Sequence, residues 1–258
     1  SAAIEAFADD EWRSPAELSE HLLAWLAEHD PEAAPKFAGV SGRYFAFGHG
    51  GLIRRPLKGD WSGQAAPGYR AAASVLGDRA QRATILATPD DATDALFVHQ
   101  LAAAGPLSRH DLAWWSGLGL TRVDAALARL DLPAETGPDG RLYHDVPNAP
   151  EPVEVLGVRL LPEFDALLCA FDPAARERFV DPEHYLVLWK QENGMLLAPV
   201  LVDGRLRGQW RMVGNGPRRS VDVTLFPGTR ALRADELSEP IAAVASVLGL
   251  TVTAVEVH

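Results

Sequence analysis

Between residues 159 and 168 the chain reads Arg159-Leu160-Leu161-Pro162-Glu163-Phe164-Asp165-Ala166-Leu167-Leu168, an apolar run interrupted by a proline and two carboxylates. A run of this hydrophobicity is expected to be buried, and polar groups inside it then need partners. A second segment answers it. Leu201-Val202-Asp203-Gly204-Arg205-Leu206-Arg207-Gly208-Gln209-Trp210 reads as an apolar strand, an Asp-Gly turn and a strand in which Leu206 and Trp210 alternate with polar neighbours. Upstream of the pair the periodicity is mostly helical; downstream it is mostly that of strands. The pair marks a hinge between two architectures.

Upstream, Ser14-Pro15 with Glu17 is a helix start, and Leu18, Leu22, Trp25 and Leu26 recur at helical spacing until Asp30-Pro31. A shorter helix fits residues 31–38. Residues 44–47, 48–51 and 52–55 read as strand, turn and strand, and residues 58–63 as a polar loop. Helices closed by a β-hairpin are the outline of a winged helix. Residues 71–80 are Ala-rich and read as helical; residues 84–91 read as a connector.

The outline then recurs. Thr93 or Asp94 caps a helix carrying Leu96, Phe97, Gln100 and Leu101, and Ser108 with Asp111 forms a loosened capping box. The helix behind that box holds Leu112, Trp114 and Trp115 and ends at Gly117. Thr121 caps another with Val123, Leu127 and Leu130, a helix-turn-helix pattern. Gly137-Pro138-Asp139-Gly140 turns into a small wing at Leu142-Tyr143, and Pro147, Pro150 and Pro152 form a linker. Beyond it, residues 185–189, 196–202, 206–213 and 220–226 read as strands of an antiparallel sheet, followed by a helix over 234–248 and a strand-like 251–257. The expected architecture is α+β: tandem winged-helix motifs over 1–83 and 84–150, then an antiparallel β-rich C-terminal domain over 151–258 with a terminal helix.

Charge narrows the function. The net charge of −11 argues against a protein that binds nucleic acid over its whole surface. Yet residues 1–35 hold nine acids and one base, residues 40–70 hold five bases and one acid, and residues 203–219 hold five arginines against Asp203. A local basic face on an acidic protein, or ordinary solvated arginines, are both consistent with that pattern. No apolar run reaches the ~18 residues of a membrane helix, and Glu5, Asp9, Asp10 and Glu11 stand where a signal peptide would be basic. The single cysteine, Cys169, sits among apolar neighbours, as an inert core thiol does, and a cytoplasmic setting is expected.

Several constellations bear on chemistry. Glu163 and Asp165 have the composition of an acid–base pair, but a structural role is favoured, with Asp165 accepting backbone N–H groups at a turn or pairing with Arg176 or Arg178. Arg205, Arg207 and Arg211 alternate along a strand, so one face is expected to carry all three, with Arg218 and Arg219 in the loop beyond; guanidinium groups so arranged track phosphates. Arg54, Arg55 and Lys58 with Trp61 form the better DNA candidate among the wings, because basic wings reach backbone or minor groove. Arg122 and Arg129 are opposed by nearby Asp124 and Asp131, which favours a packing helix over a reading one. Trp114 and Trp115 read as core or interface aromatics. The histidines show no metal-ligand spacing, and no phosphate-cradling Gly loop or G-x-S-x-G motif occurs. Neither a metal nor a cofactor is expected.

Leu160-Leu161-Pro162-Glu163-Phe164-Asp165-x-Leu167-Leu168, followed by Val202-Asp203-Gly204-Arg205-x-x-Gly208-x-Trp210, resembles the C-terminal signature of the AlkZ/YcaQ-like winged-helix DNA glycosylases. Leu101-x-x-x-Gly105-Pro106 and Trp115-Ser116-Gly117-Leu118 agree with that family's last winged helix. The resemblance implies tandem winged helices packed with a β-rich domain, and double-stranded DNA carrying alkylated bases or crosslinks as partner. The implied activity is hydrolysis of the N-glycosidic bond, which needs a stabilised oxocarbenium-like sugar and an aimed water. Family members assign that step to a Gln-x-Gln motif, or a variant with Asp or His, in the first winged helix. No such motif occurs here; His99-Gln100 is adjacent rather than spaced, so no catalytic residue is carried over. The Ser start and the register of the match lead us to expect a chain without that first winged helix. Gln209 also stands where a small Thr is common. The expected function is duplex DNA binding within a glycosylase-like repair protein, by a monomer without membrane association. Glu163, Asp165, Asp203 and Trp210 then form a structural joint. The alternative is a non-catalytic winged-helix regulator or protein-interaction scaffold.

Overall fold

The computed structural model of the chain describes residues 2–39, 51–58, 66–77, 88–151 and 153–258. The chain divides into two compact units, Ser1–Ala87 and Thr88–His258.

In the first unit α1 (Ala2–Phe7) precedes α2 (Pro15–His29). Ser14 caps α2 reciprocally: its hydroxyl accepts from the Glu17 N–H, and the Glu17 carboxylate accepts from the Ser14 N–H at 2.7 Å. These bonds satisfy donors that a helix N-terminus leaves open. Leu18 and Leu22, on one face of α2, pack with Ile4, Phe7 and Tyr69. α3 (Ala34–Phe37) is shorter than expected because residues 31–33 form a turn. β1 (Leu52–Pro56) pairs antiparallel with β2 (Pro67–Ala71), from Leu52↔Ala71 to Pro56↔Pro67. The expected strand over 44–47 lies outside the described residues. β2 escaped the sequence reading because Pro67-Gly68 has the composition of a turn. Arg13 and Tyr69 exchange backbone hydrogen bonds at 2.8 Å in both directions, fixing the strand to the chain before α2. α4 (Ala72–Leu76) covers part of the expected Ala-rich helix.

The second unit opens with α5 (Pro89–Ala104). This helix starts earlier than expected. Thr88 is its cap, and Thr93 instead turns its hydroxyl back to the Pro89 carbonyl at 2.7 Å within the first turn. β3 (Leu107–Ser108), α6 (Arg109–Ser116), α7 (Leu120–Leu130), β4 (Ala134–Thr136) and β5 (Leu142–His144) follow. Gly119, not Thr121, is the N-cap of α7. The three strands form an antiparallel sheet in the order β3-β5-β4. Phe97, Leu101, Leu107, Leu112, Val123 and Ala126 are fully or almost fully buried, and their core runs on into Ala170, Phe171 and Ala175. Asp111 shows why. It completes the capping box with Ser108 and, wholly buried, its other oxygen accepts the Asp172 N–H at 2.8 Å.

The larger sheet has five strands in the order β12-β11-β10-β9-β6, namely β6 (Val158–Leu160), β9 (Pro199–Val202), β10 (Arg205–Val213), β11 (Arg218–Leu225) and β12 (Thr251–Val257). All neighbours run antiparallel except β11 and β12. The strand-like 251–257 joins this mostly antiparallel sheet as a parallel edge, because α10 (Ala234–Leu248) forms a crossover between the two strands. Leu237 and Ile241 of α10 pack on Val158, Val200, Val202, Val221 and Val223. Leu201 and Leu206 face the other way, against Leu168, Val180, Leu188 and Phe226.

Between β6 and β9 lie α8 (Ala166–Cys169), a 3-10 helix (Pro173–Arg178), α9 (Pro182–Leu188) and the ladder of β7 (Trp189–Lys190) with β8 (Met195–Leu196). Most of the strand expected over 185–189 is therefore helical. Asp181-Pro182 starts a helix there, and the apolar run is too short to declare its period. The hinge run is not buried throughout either: Pro162, Glu163 and Phe164 are exposed, while Leu168 is buried.

Candidate nucleic-acid interface

The hairpin of β9 and β10 turns on two residues. Asp203 and Gly204 both have positive φ, 49° and 80°, the conformation a two-residue hairpin needs to match strand twist. Asp203 also accepts the Gly157 N–H at 2.9 Å and pairs with Arg230 at 3.2 Å. The hydrogen bond from Gly157 is the main reason its carboxyl is held below the usual range, with Arg230 adding to it.

Along β10 the alternation breaks. Leu206 pairs with Leu201 but Gly208 pairs with Val200, so the strand gains a residue at Arg207. The consequence corrects the expected arginine face. Arg205 pairs with Val202, on the side of α10, whereas Arg211 pairs with Asp222, on the opposite side. Arg205 and Arg207 are instead gathered by Asp181, at 2.7 and 3.1 Å, and Arg205 also donates to the Glu177 and Arg178 carbonyls. Burial pushes the Asp181 carboxyl up, but the Arg205 hydrogen bond and both guanidinium charges outweigh it and hold it low. These two arginines clamp the hairpin to the start of α9.

The outer part of the hairpin is more open. Arg211 is 74% exposed and bonds Asp222 through Nε at 2.9 Å and a terminal nitrogen at 2.7 Å. Arg218 is exposed with no acidic partner among the described residues, and Arg219 donates through Nε to the Gly216 carbonyl, which leaves its terminal nitrogens uncommitted by that bond. Guanidinium groups held at a strand end and not neutralised suit phosphate oxygens.

The first unit places Arg54 and Arg55 on β1 and Lys58 just beyond it, all exposed. Arg55 lies over the Trp12 ring at 4.1 Å, which orients its guanidinium without neutralising it. Trp61 lies outside the described residues. The wing cations belong to one compact unit and the hairpin arginines to the other.

The carboxylates of the hinge run do not act as a pair. Glu163 is exposed, whereas Asp165 caps α8, accepting the Leu167 N–H at 2.8 Å. Phe164 adopts φ 55°, and its N–H reaches the Leu196 carbonyl at 3.3 Å. The Leu161 N–H donates to Pro199 at 3.0 Å, and the Leu161 carbonyl accepts the Trp210 indole N–H at 2.7 Å. The acids expected beside Arg122 and Arg129 are used otherwise: Arg129 is bound to Asp94 at 2.6 Å, not to Asp131, and Asp124 pairs with Arg109. Sequence reasoning missed Asp181 and Asp222, and of Asp111 it saw the capping box but not the bond to the Asp172 N–H. Asp181 was hidden by its local signature as a helix start. No group of three or more metal-ligating side chains occurs among the described residues. No helix among them is long and apolar enough to cross a membrane.

Folds of this kind are found in DNA glycosylases. The structure of Streptomyces sahachiroi DNA glycosylase AlkZ matches 99% of this chain and 67% of its own, with a TM-score of 0.70 and 20% identity. The sequence model of the family described as DNA glycosylase AlkZ-like matches residues 1–247, and the chain belongs to that family. No curated protein sequence matches it significantly.

Proposed function

We propose that this chain is a duplex-DNA-binding part of a DNA-repair protein of the glycosylase type, built from winged-helix domains over 1–83 and 84–150 and a β-rich domain over 151–258. One observation carries this reading. Residues 88–144 run helix, strand, helix, helix, strand, strand, with the first strand added to the last in a three-stranded sheet. That order is the winged-helix variant of the helix-turn-helix, a class that binds duplex DNA; the phosphate contacts themselves fall to cations elsewhere in the chain. Affinity comes from Arg54, Arg55 and Lys58 in the first wing and from Arg218 and Arg219 at the hairpin, whereas Asp222 holds Arg211 and Asp181 holds Arg205 and Arg207, which support the hairpin from behind.

Base excision itself needs positioned groups that aim a water and stabilise a developing oxocarbenium ion. The chain has no Gln-x-Gln motif, so its own contribution is to hold alkylated or crosslinked DNA rather than to cleave the glycosidic bond. Fluorescence anisotropy with a labelled duplex tests this. Arg218→Ala with Arg219→Ala is expected to weaken binding while leaving the fold intact, because neither side chain is buried. Unchanged affinity in that variant removes the hairpin from the interface. Absence of binding by the unaltered chain at low salt favours the regulator or scaffold, which the net charge of −11 would suit.

A further inference from the structure

A groove of about 970 Å³ runs along the second unit beside β4. One wall is β4 itself, the edge of the three-stranded sheet, with all three residues exposed. On its inner side the Pro133 carbonyl accepts from the Asp145 N–H at 3.0 Å, and the Gly137 N–H donates to Arg141 at 2.8 Å. Since backbone groups alternate along a strand, those of Ala134 and Thr136 point outward, away from β5. The opposite wall is the linker, including Asn148 and Pro150, and the floor is apolar, with Leu101, Pro106 and Val146. An open strand edge over an apolar floor is the geometry that takes up an added extended strand.

Charge selects what kind of strand. Glu135 and Glu151 are exposed at the rim with no partner among the described residues, and Asp139 and Asp145 add two carboxylates already held by internal bonds. The one cation lining the groove among the described residues, Arg178, is stacked on Tyr143 at 5.3 Å and Phe171 at 4.7 Å. Such a rim repels phosphate and attracts ammonium and guanidinium groups.

We infer that this groove is a docking site for an extended, basic segment of a partner protein, added as a fourth strand to β4 with alternate side chains on the apolar floor. β4 with its flanking Pro133 and Gly137 offers about five extended residues, roughly 16 Å. The site is separate from the DNA-binding reading and survives its failure.

The test uses the full chain and a fluorescein-labelled hexapeptide of alternating lysine and valine. Saturable anisotropy is expected, weakened at least about tenfold in Glu135→Lys with Glu151→Lys, and equally by N-methylation of alternate peptide nitrogens. Thr136→Pro gives a second arm: it removes an outward N–H that the ladder does not use, so the sheet survives while peptide binding falls. Labelled-duplex binding measured in parallel is expected to hold or improve in the charge-reversed variant. Three outcomes overturn the inference. The first is no binding of the hexapeptide. The second is equal binding of the N-methylated peptide. The third is a concentration-dependent dimer abolished by Thr136→Pro, which would make a second copy the occupant.

Discussion

Trp210, Gly208 and Asp203 each have a physical reason to occupy their positions in the family signature. The Trp210 indole holds the Leu161 carbonyl at 2.7 Å, tying the hinge run to β10. Trp210→Phe keeps most of the ring and deletes that donor, leaving a half-buried carbonyl unpaired. A loss of about 1–3 kcal/mol is expected, read from the urea midpoint. Gly208 is buried at the bulge, where a Cβ would meet the Thr224 carbonyl at 2.5 Å and the Leu225 Cα at 3.1 Å. Both obstacles are backbone. Gly208→Ala is expected to force β10 away from β11 at a cost of about 1–3 kcal/mol, and an unchanged midpoint would show that the ladder has slack there. Buried Asp111 accepts from Ser108 and from Asp172. Asp111→Ala orphans these donors and should cost about 2–4 kcal/mol, visible as a lower melting temperature.

At the scale of elements, the β9–β10 turn is linked to the start of α10 through charge. Arg230 bridges Asp203 at 3.2 Å and Glu236 at 2.8 Å. The Asp203 carboxyl is lowered chiefly by the Gly157 hydrogen bond and Glu236 by that from Arg230. A carboxyl whose folded pKa lies below its unfolded value adds stability above the unfolded value and loses it as pH falls through the folded one. Denaturation midpoints should therefore drop as the pH is taken below the ordinary carboxylate range, around pH 4. Asp203→Asn, which tolerates the same positive φ and can still accept from Gly157, should show a smaller drop. An identical drop in both proteins would place the acid sensitivity elsewhere. The elements themselves were unevenly legible. α10, β12, the Asp-Gly turn and the two capping boxes follow from local rules, and the structure has them where the sequence indicates. α9 was misread and β2 passed over because a five-residue apolar run and a Pro-Gly pair lack a period. The bulge at Arg207 was illegible for a different reason. It is set by how β10 meets β9 and β11, so the arginine face expected from simple alternation does not exist.

Across the whole molecule, a net charge of −11 hides a local division of labour. Acids gather at the groove beside β4, while exposed cations sit on β1 and at the outer end of the β10–β11 hairpin. The family was legible from the two signature segments, since they encode a joint between sequence-distant elements. Which cations stay open for a ligand was not, because Asp181 and Asp222 neutralise their arginines through contacts that only the folded chain creates. The central claim is that exposed cations of the first wing and of the outer hairpin hold DNA phosphates, and the salt dependence of duplex affinity tests it most directly. Between about 50 and 200 mM salt, log K for a labelled duplex should fall linearly with log salt, with a slope of about −0.9 per phosphate contacted. Arg218→Ala with Arg219→Ala should make that slope shallower. Affinity independent of salt, or no binding at the low-salt end, would contradict it.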